Sequence, residues 1–150
     1  MSGNPTVRLK QQTDFQFAIF YNEEKAPIMG DEPPPLGKSE GATPSQLLIA
    51  AVANCLSDSL LFALRKFKQN PDPIETLATC EIGRNDQNRL RILSIRVEIH
   101  IGVPGGVLEN LDRVLAQFQE FCTVSSSVSA GIPVNVFVMD SLEQQLYPVI

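Results

Sequence analysis

The chain has 150 residues, 43% of them hydrophobic and 19% charged, which is enough for one folded domain with a sizeable core. Twelve Lys and Arg against 17 Asp and Glu leave a net charge of −5, which argues against a binder of nucleic-acid phosphates or anionic lipid. Three cysteines, none in a Cys-x-x-Cys pair, exclude a disulfide scaffold and leave thiols free for chemistry.

In chain order, residues 6–10 and 15–20 have strand composition, with a polar turn at 11–14 between them, so a hairpin is expected. Residues 30–37 follow, where Pro33, Pro34 and Pro35 remove three backbone donors and define a connecting loop. Asp31, Glu32 and Glu40 read as a solvated acidic stretch of that loop. Thr43, Pro44 and Gln46 then give three start signals for one helix: a capping hydroxyl, a proline at the first helical position, and Gln three residues after the cap. Residues 47–64 carry a single charge, Asp58, and the helix is expected to run over about 44–68, ending in Arg65, Lys66 and Lys68. Asn54, Ser57 and Ser59 at its centre favour a central core helix over a membrane span.

Residues 74–82 read as a strand and 84–88 as its turn. Leu93, Ile95, Val97, Ile99 and Ile101 then alternate with Ser94, Arg96, Glu98 and His100, the pattern of a strand with one buried and one wet face, as in antiparallel sheets. After a break at 102–106, Leu108, Leu111, Val114, Leu115, Phe118 and Phe121 fall at helical spacing up to about Cys122. A short helix within 123–131 and a strand at 133–139 complete the order. The expectation is α+β, a single domain over 1–150 with a β-rich part at about 1–40 and a β-β-α-α-β part at about 74–140. No basic start followed by an apolar run opens the chain, so no secretory signal is expected and a reducing cytoplasm is the expected setting.

Chemistry narrows to the thiols. Cys55 lies about three turns into the long helix, too far from its N-terminus for the dipole to activate it. Its helical neighbours Leu48, Ala51, Val52, Ser59 and Phe62 are mostly small or apolar, and Asp58 is acidic; apolar surroundings and a carboxylate both favour the neutral thiol. Local sequence therefore reads Cys55 as a core thiol unless a cation from elsewhere in the fold or from a partner subunit faces it. Cys122 ends the second helix, and if it also begins the next one it meets unpaired N–H groups. Cys80 reads as core filler on a strand. His100, the single histidine, has no companions at metal spacing, so neither a metal site nor a Ser/His/Asp set is expected. Residues 102–106 lack the Lys-Ser/Thr of a phosphate loop.

Residues 41–55, GATPSQLLIAAVANC, resemble the opening of the central helix in the OsmC/Ohr family, a Gly-x-x-Pro-x-x-Leu-Leu-x-Ala-Ala-x-x-x-Cys pattern. Asp31-Glu32-Pro33 with Gly37 is similar to the loop before it, and residues 122–134, CTVSSSVSAGIPV, are similar to the family's second-cysteine motif. The resemblance implies an OsmC-like α+β fold with antiparallel sheets around a long central helix, built as an intertwined homodimer with active sites at the interface. It also implies thiol-dependent reduction of organic hydroperoxides, Cys55 being the peroxidatic thiolate and Cys122 the resolving thiol. The thiolate would become a sulfenic acid, captured as a Cys55–Cys122 disulfide and reduced by an external dithiol without metal or organic cofactor. The chain departs from the family where Ser45 and Gln46 follow Pro44 without a carboxylate, and Arg8 is the only arginine before Arg65. The alternative is a protein that binds a small apolar or thiol-bearing ligand on the same scaffold without turnover.

Overall fold

The computed structural model describes residues 3–150, so the first two positions of the expected N-terminal part lie outside the described residues. The chain divides into two compact units, Met1–Leu48 and Ile49–Ile150.

In the first unit, β1 (Arg8–Thr13), β2 (Gln16–Phe20) and β3 (Ile28–Gly30) form an antiparallel sheet in that order. The turn expected at 11–14 is tighter than its composition suggests. Gln11 pairs with Phe17 and Thr13 with Gln16, which leaves the reversal to Asp14 and Phe15. Asp14 takes a left-handed φ of 51°, which a short polar side chain tolerates. β3 has only three residues, too few for periodicity to show.

The acidic loop is not simply solvated. Asp31 is buried, and its Oδ1 accepts from the Glu32 N–H at 2.7 Å. Its Oδ2 accepts from the N–H groups of Lys38 (3.2 Å) and Glu40 (3.1 Å). Burial alone would raise its pKa; the three N–H groups and the Lys38 charge outweigh that and hold the carboxyl below its ordinary value. Gly37 closes the loop because a Cβ there would run into the Glu32 carbonyl and the Asp31 carboxylate.

The long helix α1 (Pro44–Lys66) begins with the anticipated capping box. Thr43 Oγ1 accepts from the Gln46 N–H at 3.2 Å, and Gln46 Oε1 accepts from the Thr43 N–H at 2.9 Å. It stops two residues short of Lys68, which takes φ 59°. The N–H of Lys68 bonds the Arg65 carbonyl and that of Gln69 the Leu64 carbonyl, a Schellman closure with lysine where glycine is usual.

In the second unit, β4 (Glu75–Arg84), β5 (Leu90–His100), β6 (Val134–Met139) and β7 (Gln145–Tyr147) form a four-stranded sheet in that order. β4–β5 and β6–β7 are antiparallel, but β6 runs parallel to β5, pairing Ile95 with Val134 and Ile99 with Val138. That ladder requires a crossover, which α2 (Leu111–Gln117) and α3 (Thr123–Ser129) supply.

The alternation read in β5 holds from Ile95 through Val97, Ile99 and Ile101, all buried, but fails at Leu93, which is exposed where the β4–β5 ladder shifts register. They pack in one core with Val52, Leu56, Leu60 and Leu64, a single stripe of α1 at i, i+4 spacing. Each such side chain contributes about 1.5–3 kcal/mol of transfer free energy.

Two further expectations change. α1 is long and apolar enough to cross a membrane, with a mean hydropathy of 2.0 over eighteen residues, yet only 28% of that window is buried within the chain. It is a one-stripe helix rather than one enclosed all round, and Phe62 is 67% exposed. The second helix does not run unbroken to Cys122. Asn110, at φ 60°, delays its start to Leu111, and Gln117 leaves helical geometry (φ −126°, ψ −21°) ahead of a 3-10 turn at Phe118–Phe121. Phe118 stays in the core, edge-on to Tyr147, whereas Phe121 is exposed.

Candidate active site

α1 carries Cys55 on the border of its buried stripe, one residue before Leu56, so the thiol is partly buried and packs against the core. Cys122 lies between the 3-10 turn and α3 and has no exposed surface. Its backbone is extended (φ −88°, ψ 101°), the geometry of an N-cap, and its Sγ accepts from the Ser125 N–H at 3.4 Å. The unpaired donors that sequence placed near Cys122 are therefore real, and the thiol itself satisfies one.

The two thiols, 67 positions apart in sequence, are neighbours in space, close enough for Cys55 to act on the Cys122 proton. Burial pushes the Cys122 pKa up and the Cys55 thiol acts in the same direction. The Ser125 N–H and hydroxyl draw it back, but the net shift is upward, so Cys122 is a neutral thiol at pH 7. A buried, protonated thiol beside a more accessible one suits the capturing partner of a redox pair.

Around Cys55, the Asn54 side-chain amide donates to Asp58 Oδ2 at 3.1 Å, so that carboxylate is already engaged on the helix surface. Ser57 Oγ donates to the Ala53 carbonyl at 2.8 Å and lies 2.7 Å from Thr76 Oγ1. A cavity of about 520 Å³ lies between the C-terminal half of α1 and the segment from α2 through the 3-10 turn. Phe62, Phe67, Phe118 and Phe121 are among its walls, and neither cysteine lines it. Lys66 and Arg113 also face it, with Arg113 5.7 Å above the Phe67 ring. Among the described residues neither cation is held in an ion pair.

Arg8, by contrast, is engaged within its own sheet unit. It pairs with Glu23 at 2.7 Å and sits 4.2 Å over the Phe20 ring. Cys80 pairs across the ladder with Ile95 and packs against the core. His100 stays on the wet face, with Nε2 3.3 Å from Glu98 Oε1. Among the described residues, no three His, Cys, Asp or Glu side chains are grouped to hold a metal ion. Sequence reasoning passed over Ser125, Lys66 and Arg113. Ser125 was within reach, because it is the third residue of any helix that Cys122 caps. The cavity cations gave no signal, since their proximity is made by packing.

Fold and site together define an α+β thiol protein in which a cysteine on a long helix lies beside one 67 positions further along the chain. The family model described as OsmC-like protein matches residues 37–137. The chain belongs to the OsmC-like protein family. A search of curated protein sequences found no match. Among solved structures, an OsmC-like protein from Mycoplasma pneumoniae is 13% identical with a TM-score of 0.77, covering 93% of this chain and 99% of that one. The organic hydroperoxide resistance protein OhrB of Bacillus subtilis is 15% identical with a TM-score of 0.64, covering 89% and 97% respectively. An organic hydroperoxide resistance protein from Elizabethkingia anophelis is 18% identical with a TM-score of 0.67, covering 93% and 99%. At these identities the likeness is one of fold.

Proposed function

We propose that the protein is a thiol-dependent peroxidase that reduces organic hydroperoxides. The Cys55 thiolate attacks the peroxide O–O bond, taking one oxygen as a sulfenic acid and releasing the alkoxide, which leaves as the alcohol once protonated. The Cys122 thiol then displaces that hydroxyl as water and forms a Cys55–Cys122 disulfide. An external dithiol reduces the disulfide, with no resident metal or organic cofactor. The observation that carries this reading is the juxtaposition of a partly exposed Cys55 with a buried Cys122. The organic hydroperoxide resistance proteins among its structural neighbours support it. The working unit in this proposal is a homodimer in a reducing cytoplasm, binding neither nucleic acid nor membrane. The exposed Phe62 and the largely uncovered α1 support a second copy as the covering surface.

The test uses fully reduced protein and one equivalent of cumene hydroperoxide, with intact mass and free thiols read within seconds. The expected result is loss of two thiols to a Cys55–Cys122 disulfide, while Cys122→Ser stops with one oxygen on Cys55. Retention of all three thiols with the peroxide unconsumed overturns the reading.

A second reading rests on the cavity, whose walls exclude both cysteines. If the protein binds a small apolar ligand without turnover, Cys55→Ser will leave the affinity for an apolar fluorescent probe unchanged. The probe will also be displaced by the ligand without any thiol being lost.

A further inference from the structure

We propose that the backbone N–H of Ser125 makes Cys122 the leaving thiolate when the disulfide is reduced, so that the external thiol attacks the Cys55 sulfur. The inference rests on the peroxidase reading above and adds the direction of its last step. Cys122 is completely enclosed, so a reductant has no approach to its sulfur, whereas Cys55 keeps part of its surface open. Exchange requires the attacking sulfur, the attacked sulfur and the leaving sulfur to stand roughly in line. An attack that reaches Cys55 from outside therefore drives the leaving electron pair inward, onto Cys122. A sulfur anion released among apolar side chains needs a donor. The nearest one is already in place, since the Ser125 N–H points at Cys122 Sγ from 3.4 Å and Ser125 is itself buried.

The step balances. A reductant thiolate forms a bond to Cys55 Sγ, the Cys55–Cys122 bond breaks, and its electron pair becomes the Cys122 thiolate held by Ser125. That thiolate is reprotonated from solvent, which regains the proton from the reductant's second thiol. The second sulfur, now a thiolate, closes on the first and releases Cys55 as a thiolate. The dithiol has lost two electrons and the protein disulfide has gained them.

The experiment starts from protein oxidised with diamide, which makes the disulfide without relying on peroxide chemistry. Glutathione is added as the thiol probe, and the mixed disulfide is trapped and located by peptide mass. The expected site is Cys55, and an adduct on Cys122 overturns the proposal. Reduction rates are then compared for Ser125→Pro, which removes the backbone N–H and is tolerated in the first turn of α3, and Ser125→Ala, which keeps it. Alongside them, the titration of Cys122 is followed by thiolate absorbance in a Cys55→Ser, Cys80→Ser background. Pro is expected to slow reduction about fivefold and raise the Cys122 titration, with Ala leaving both near wild type. Equal rates and equal titrations in the two variants overturn the role of Ser125. Should cumene hydroperoxide fail to form the disulfide that diamide forms, the peroxidase reading falls while the diamide arm still decides on Ser125. If diamide also leaves Cys55 and Cys122 unlinked, both fall.

Discussion

At the scale of single residues, burial favours the neutral form of both kinds of acid in this protein, and the donors each one meets decide the outcome. Cys122 has one weak donor set against an apolar surround and a neighbouring thiol, and its proton is held more tightly. Native protein treated with iodoacetamide at neutral pH should therefore label Cys55 at least about tenfold faster than Cys122, with Cys122 reacting fully only in urea. Asp140 is equally enclosed but receives backbone N–H groups from Gly105, Leu142 and Gln144, each at 2.9 Å. The Gly105 bond leads in lowering its pKa, against the opposing effect of burial, with Gln144 and Leu142 adding to the fall. Because the folded value lies below the unfolded one, its stabilisation is present in full above about pH 4 and disappears as pH falls through the folded value. Asp140→Asn should cost about 2 kcal/mol at pH 7, read from the urea midpoint, and the gap from wild type should shrink towards pH 3. Sequence reading identified Cys55 and Cys122 but did not single out Asp140, because a lone Asp in a loop resembles any solvated one until its donors are seen.

At the scale of elements, the ends of α1 make the clearest predictions. Thr43→Ala removes one of the two reciprocal cap bonds and should lower stability by about 1 kcal/mol in urea melts. Lys68 holds a left-handed conformation that a Cβ disfavours, so Lys68→Gly should raise stability by about 1 kcal/mol if the closure it makes is retained. The start of α1 was legible because its signals are local and redundant. The break after Gln117 was not, because Leu111, Val114, Leu115 and Phe118 keep helical spacing across it. The parallel β5–β6 ladder was hidden in the same way, since alternation reports which face is buried and not which way a partner runs.

At the scale of the whole molecule, an apolar helix with so little of its surface enclosed sets the main expectation. Sedimentation should find two chains associated, and Phe62→Glu should shift the mass towards one chain, because it places a charge on surface that the proposed second copy covers. Retention of the dimer by that variant would place the contact elsewhere. Loss of association without loss of helix content by circular dichroism would place it on this face.

Taken alone, the amino-acid order determined the α+β class, the long helix and its cap, the buried face of β5, and which thiols to examine. The elements depend on neighbours within a few positions, where hydrophobic period and capping chemistry act, whereas the thiols were picked out by the resemblance of residues 41–55 and 122–134 to the OsmC/Ohr motifs. Tertiary structure decided that Cys55 and Cys122 meet, that Ser125 faces their sulfur, that Asp31 and Asp140 are held by backbone donors, and that Lys66 and Arg113 share a cavity. Those contacts join residues whose proximity is made by crossover and packing, so no local pattern encodes them.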